Sequence, residues 1–208
     1  MRKSSKITNL VLPNKGINLF VCSIVLLGIL SGACFLMISN EADKASVISQ
    51  IKNFLVSIDN NSINSVQALK NSLMINYLFL GLIFILGLSM IGVIMGIFLL
   101  YLKGFLVGFS LASIFFTYKL KGILIVILYM FPSQIINILL VILISIYSIM
   151  FSRHLLKVIT SKKAISSRVM LKKYLIIFGF CIILSFISSI SEVYLFPFIL
   201  KQVSRFYV

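Results

Sequence analysis

Acidic residues are rare in this chain: Glu41, Asp43, Asp59 and Glu192 are the only four among 208 residues. Three of them share one polar stretch, and Glu192 alone falls inside a long apolar run. An ionised carboxylate at the middle of a membrane helix is unfavourable by about 3 kcal/mol, whereas an interhelical hydrogen bond returns only about 0.6–1.7 kcal/mol. Glu192 must therefore be protonated, hydrogen-bonded or turned toward a wet crevice. Two roles stay open for it, an interhelical hydrogen bond and an ion path or partner contact. Ser188 and Ser191 flank it, and Pro197 follows to loosen the helix end. A second polar island holds Pro132, Ser133, Gln134 and Asn137. Gln134 and Asn137 share a helix face and are placed to meet Glu192 across a bundle. Pro132 frees a backbone carbonyl that side chains or water must satisfy, so the island reads as a supported kink or as a binding site.

Nothing else in the chain has the spacing of an active site. No GxSxG, HExxH, P-loop, paired in-membrane acid or Cys/His cluster occurs. Cys22, Cys34 and Cys181 lie in apolar runs and read as small hydrophobes with no disulfide or metal role. His154, beside Arg153 at a helix end, reads as headgroup-facing. No enzyme activity, cofactor or metal is expected. Three glycine pairs at four-residue spacing remain: Gly28/Gly32, Gly92/Gly96 and Gly104/Gly108. Lipid gives helices no hydrophobic drive to associate, so small residues that let backbones approach become a main source of attraction. Such faces serve internal packing or another protein, and self-association stays open.

The elements that must position these residues are membrane helices. The chain is 61% hydrophobic and 11% charged, with a mean hydropathy of +1.16. A soluble domain is roughly half apolar and about a quarter charged. The apolar runs predict an all-α bundle of five transmembrane helices in a single membrane domain, over about 17–39, 74–100, 103–118, 122–151 and 174–200. The first is long enough at 1.5 Å per residue to be a retained signal anchor. An outer loop over 40–72 carries two amphipathic pieces, with Ser62 as the expected N-cap of the second. In the first piece Ile51 and Leu55 lie on a stripe with Val47, Ile48, Phe54 and Ile58. A membrane-surface helix is usually clearly basic, and this loop is not, so its stripe is a candidate partner contact.

The net charge of +15 sits mainly between the apolar runs, where it sets topology and meets anionic headgroups. It has no aromatic interleaving, and no nucleic-acid binding is expected. With five spans, the cytoplasmic side holds twelve basic residues, counting Lys103 and the loop over 152–173, and the outside holds seven. The N-terminus is therefore expected inside and the C-terminus outside.

Two stretches resemble a known family. FLGLIFILGLSMIGVIMGIFLLYLKGFLVGF, from Phe79 to Phe109, and ISEVYLFPFIL, from Ile190 to Leu200, are similar to the central and closing patterns of the stage II sporulation protein M family. Many members of the wider family carry His-Gly-x-x-Glu-x-Pro after the proline of the fourth span. Here Ser133 and Asn137 replace the His and the acid. The resemblance implies a non-enzymatic membrane scaffold for forespore engulfment. It implies two peptidoglycan-degrading partners, stage II sporulation proteins D and P, recruited to the septal membrane of the mother cell. The rival reading, from the residues themselves, is a small transporter or channel subunit using Glu192, Gln134 and Asn137 as a polar path.

Overall fold

The computed structural model describes residues 15–59, 64–89, 92–129, 133–161, 167–195 and 197. These residues form α1 (Lys15–Ile38), α2 (Glu41–Asp59), α3 (Ser65–Gly87), α4 (Gly92–Tyr129), α5 (Ile135–Ser161) and α6 (Ser167–Ile190), the last running into a π turn, Ser191–Leu195. Five stretches are long and apolar enough to cross a membrane: Lys15–Ile38, Ser65–Gly87, Gly92–Lys119, Ile135–Leu156 and Arg168–Leu195. Helices suit that solvent because each satisfies its own backbone groups where no water can.

Unlike a soluble bundle, this one is apolar on its surface and carries polar side chains within its interior. Leu19, Ile38, Ile94 and Val66 are exposed, whereas Ser185, Ser188 and Ser189 are completely buried. Apolar side chains face lipid, and inside, Ser188 and Ser189 find hydrogen-bond partners beside an apolar core that includes Val21, Ile83 and Leu100.

Side-chain contacts fix the helix directions. Gly28 of α1 lies against Tyr101 and Phe105 of α4, and Gly32 against Phe105 and Phe109, so α1 and α4 run parallel. Tyr174, early in α6, bonds Phe84 near the end of α3, while Glu192, past the end of α6, bonds Ser72 near the start of α3. Those two helices are antiparallel. Gln134, just before α5, also reaches Glu192, so α5 runs against α6. Chain direction thus alternates from one crossing to the next.

Several boundaries differ from the expected ones. The expected second span, 74–100, and the break near Lys103 give way to a turn after Gly87. There Leu88 and Ser89 donate their N–H groups to Ile85 and Leu86 carbonyls at 3.1 Å each. A Cβ on Gly92 would collide with the Leu86 carbonyl, so only glycine lets the chain turn this tightly. Lys103 is then an interior residue of α4, not a loop residue. At its far end α4 breaks at Lys119, whose φ of 51° and ψ of −131° are not helical. Residues 120–129 extend α4 beyond that break, so the expected fourth span, 122–151, is replaced by Ile135–Leu156. Helix α3 starts at Ser65 rather than within the apolar run, and Asn64 caps it by accepting from the N–H groups of Val66 and Gln67. Ser62, the expected cap, lies outside the described residues.

Candidate functional site

Lys103 sits eleven residues into α4, about 16 Å along the helix axis from Gly92. At that depth an ammonium has no bulk water, and its position must be supported by polar neighbours. Its Nζ donates to Asn76 Oδ1 on α3 at 3.2 Å and lies 5.1 Å from the centroid of the Phe79 ring. Asn76 Nδ2 in turn donates to Ser72 Oγ at 3.4 Å and to Ser189 Oγ of α6 at 3.2 Å. The Ser72 hydroxyl donates to Glu192 Oε2 at 2.7 Å. Gln134 Nε2 donates to the other oxygen, Oε1, at 2.9 Å. Lys103, Asn76 and Ser72 thus donate in series from the lysine to the carboxylate.

Helix periodicity explains the assembly. Ser72 and Asn76 are four apart on α3 and face the same neighbour; Ser189 and Glu192 do the same from α6. The wide π turn carries Glu192, and Pro197 follows it by five residues, with no N–H to continue an α-helical ladder. Asn76, Lys103 and Gln134 are all buried, while Glu192 is half-buried at the end of the crossing. Between them lies a crevice of about 190 Å³, whose walls include Ser72, Asn76, Lys103, Gln134 and Glu192. Exposed Ile75 and Leu106 stand at its mouth. Among the described residues the one ion pair is Lys44–Glu41 on α2, so Lys103 and Glu192 share the crevice without touching.

Of the residues singled out from sequence, the structure brings Glu192 and Gln134 together. Asn137 is not part of that contact: it is buried, and its Nδ2 has no partner among the described residues. Ser188 instead donates to the Ser133 carbonyl at 2.9 Å, tying the start of α5 to α6. Pro132 and the side chain of Leu55 lie outside the described residues. Ile51 is half-buried on α2, which packs on α4.

The glycine pairs divide. Gly28/Gly32 and Gly104/Gly108 face each other across α1 and α4. A Cβ on Gly28 would sit 2.5 Å from the Tyr101 carbonyl, and one on Gly104 2.6 Å from the Val25 carbonyl. One on Gly32 would collide with the Phe105 carbonyl, and one on Gly108 with the Ile29 carbonyl. Gly92 serves the turn described above. Gly96 is buried, yet a Cβ there would meet nothing within 4 Å.

Lys103, Asn76, Ser72 and Ser189 are the site residues that sequence reasoning missed. A lone lysine between apolar runs looks like a loop. The better signal was the Gly87-Leu88-Ser89 turn inside a run of 27 apolar-rich residues, more than the roughly 20 needed to cross. With that turn in place, Lys103 moves to mid-helix and needs a partner.

Among the described residues no group of three His, Cys, Asp or Glu side chains could hold a metal ion. No curated protein and no solved structure matches the chain. The family model of stage II sporulation protein M matches residues 19–197, from the first crossing to Pro197. That span covers the five apolar crossings, apart from the first four residues of the first, and the polar crevice between them, and the chain belongs to the stage II sporulation protein M family, a multi-pass membrane protein of sporulation.

Proposed function

We propose that the chain is a non-enzymatic scaffold of forespore engulfment, recruiting the peptidoglycan hydrolases called stage II sporulation proteins D and P to the septal membrane of the mother cell. Family membership supports this reading. The observation that carries it to particular residues is α2, a helix outside the five crossings that packs on α4 at one end of the bundle.

Orientation follows from charge. In the sequence, four basic residues precede or open α1 and seven run from Arg153 to Lys173 across the α5–α6 connection, against seven in the remaining connections and the tail. Lys103 no longer counts toward either side. The excess supports a cytoplasmic α1 start, and on that orientation α2 and the crevice mouth lie at the outer side. Wall hydrolases work there.

On α2, Val47, Ile48 and Ile51 are half-buried and Val56 is exposed. The helix sets Glu41, Asp43 and Asp59 against Lys44 and Lys52, so electrostatic attraction to anionic lipid is weak. An apolar stripe with little net charge is suited to protein docking. The test is co-immunoprecipitation of both hydrolases from sporulating cells, normalised to the membrane level of the chain. Ile51→Asp with Leu55→Asp is expected to reduce recovery several-fold while insertion persists. Undiminished recovery at equal abundance would move the contact off α2.

A further inference from the structure

The crevice beneath α3 and α4 has binding capacity that the protein itself leaves unused. A lysine ammonium has three N–H donors, and Lys103 places one of them on Asn76 Oδ1. A carboxylate offers about four lone-pair sites, and Glu192 fills two, with Ser72 and Gln134. Both groups line one cavity of about 190 Å³ and are not paired with each other. At about 30 Å³ per water that space would hold about six waters. It is also large enough for one small group carrying an anion at one end and an N–H cation at the other.

The walls indicate where such a group comes from. Ile75 and Leu106, at the mouth, are 54% and 48% exposed, on the lipid-facing sides of α3 and α4. A ligand seated there has an apolar exit into the bilayer. Its polar end has a route as well: exposed Gln67, Lys70 and Asn71 lead along α3 from the helix start down to Ser72. This polar strip lowers the cost of drawing a headgroup below its usual level.

We propose that the crevice binds the headgroup of a phosphoethanolamine-type phospholipid, its phosphate on Lys103, its ammonium on Glu192 and its chains leaving past Ile75 and Leu106. A purely anionic headgroup would leave the Glu192 carboxylate opposed rather than satisfied. A choline headgroup has no N–H to give Glu192 and is bulkier. The site is thus selective for a primary ammonium, and it holds independently of the scaffold reading.

The test uses the full chain purified in detergent, with phosphatidylethanolamine, phosphatidylcholine or free O-phosphoethanolamine added separately. Bound lipid is counted by native mass spectrometry, and melting is followed in parallel. Phosphatidylethanolamine should be retained at least about tenfold more tightly than phosphatidylcholine. Leu106→Trp, which fills the mouth without touching the hydrogen-bond chain, should abolish that preference. Leu78→Trp, on α3 but not lining the cavity, should keep it. Equal retention of the two lipids by the unaltered protein would overturn the proposal, and that comparison needs no variant to fold. An unchanged preference in a folded Leu106→Trp protein would do the same. Free O-phosphoethanolamine protecting as well as the lipid would assign the site to a soluble zwitterion and overturn the lipid assignment.

Discussion

Helix α4 has two working faces, and they are built on opposite principles. Toward α1 it presents Gly104 and Gly108, and the backbones approach until there is no room for a single Cβ. Toward α3 it presents Lys103 and Val107, around a cavity bridged by polar side chains. The first face holds by close dispersion contact, with one hydrogen bond across it from the Tyr101 hydroxyl to Ser31 Oγ at 2.7 Å, and its glycines tolerate no added atom. The second holds by hydrogen bonds and tolerates no missing partner. Adjacent residues, 103 and 104, belong to different faces because a helix turns about 100° per residue. One helix can therefore carry a close-packed seam and a polar crevice at the same depth.

The seam should give the largest effects. Gly108→Leu and Gly32→Leu each push a side chain into a facing carbonyl, so little folded protein should survive size-exclusion chromatography in detergent. Gly96→Leu is the internal comparison. A Cβ on Gly96 meets open space, so this variant should elute and melt much closer to the parent. If the two kinds of variant behave alike, close approach is not what holds α1 to α4.

The crevice should respond less severely and by chemical type. Asn76→Leu leaves Lys103 without its acceptor and Ser189 without its donor, for a loss of about 1–3 kcal/mol. Glu192→Leu should resemble it, since Ser72 and Gln134 both lose their acceptor. Glu192→Gln keeps an oxygen for one of those donors and should be milder. Thermal melting of the purified variants ranks them, and a Gln variant as unstable as the Leu variant would mean that charge, not hydrogen bonding, is what the bundle needs there.

The smallest effect belongs to a polar contact near the start of α6. Tyr174 is buried, its hydroxyl donates to the Phe84 carbonyl at 3.1 Å, and its ring lies 4.7 Å from that of Phe84 and 5.5 Å from that of Phe151. Tyr174→Phe keeps the ring contacts and removes the hydroxyl with its bonds to Phe84 and Ser148, so stability should fall by about 1 kcal/mol. A much larger loss would put Tyr174 on a par with the crevice.

The same contrast explains what could be read from sequence. Five apolar crossings and the seam glycines were visible because hydropathy and four-residue spacing are local signals. Glu192 stood out as the one acid in an apolar run. Lys103 did not, because a positive charge between apolar runs carries the same pattern whether it ends a helix or lies buried within one. What distinguishes the two cases is a turn ending at Ser89, fourteen residues earlier, and an asparagine on another helix. Asn76 and Ser72 gave no sign of their own. Polar residues near a helix start look like the edge of a loop until a partner 120 residues away, Glu192, is known to face them.

The scaffold reading is tested most directly in living sporulating cells, by the position of a fluorescently tagged wall hydrolase. With the unaltered chain the hydrolase should concentrate at the septum, and without the chain it should disperse. The Ile51→Asp, Leu55→Asp variant at equal membrane level should disperse it as well. A hydrolase that still concentrates at the septum in cells lacking this chain would contradict the account.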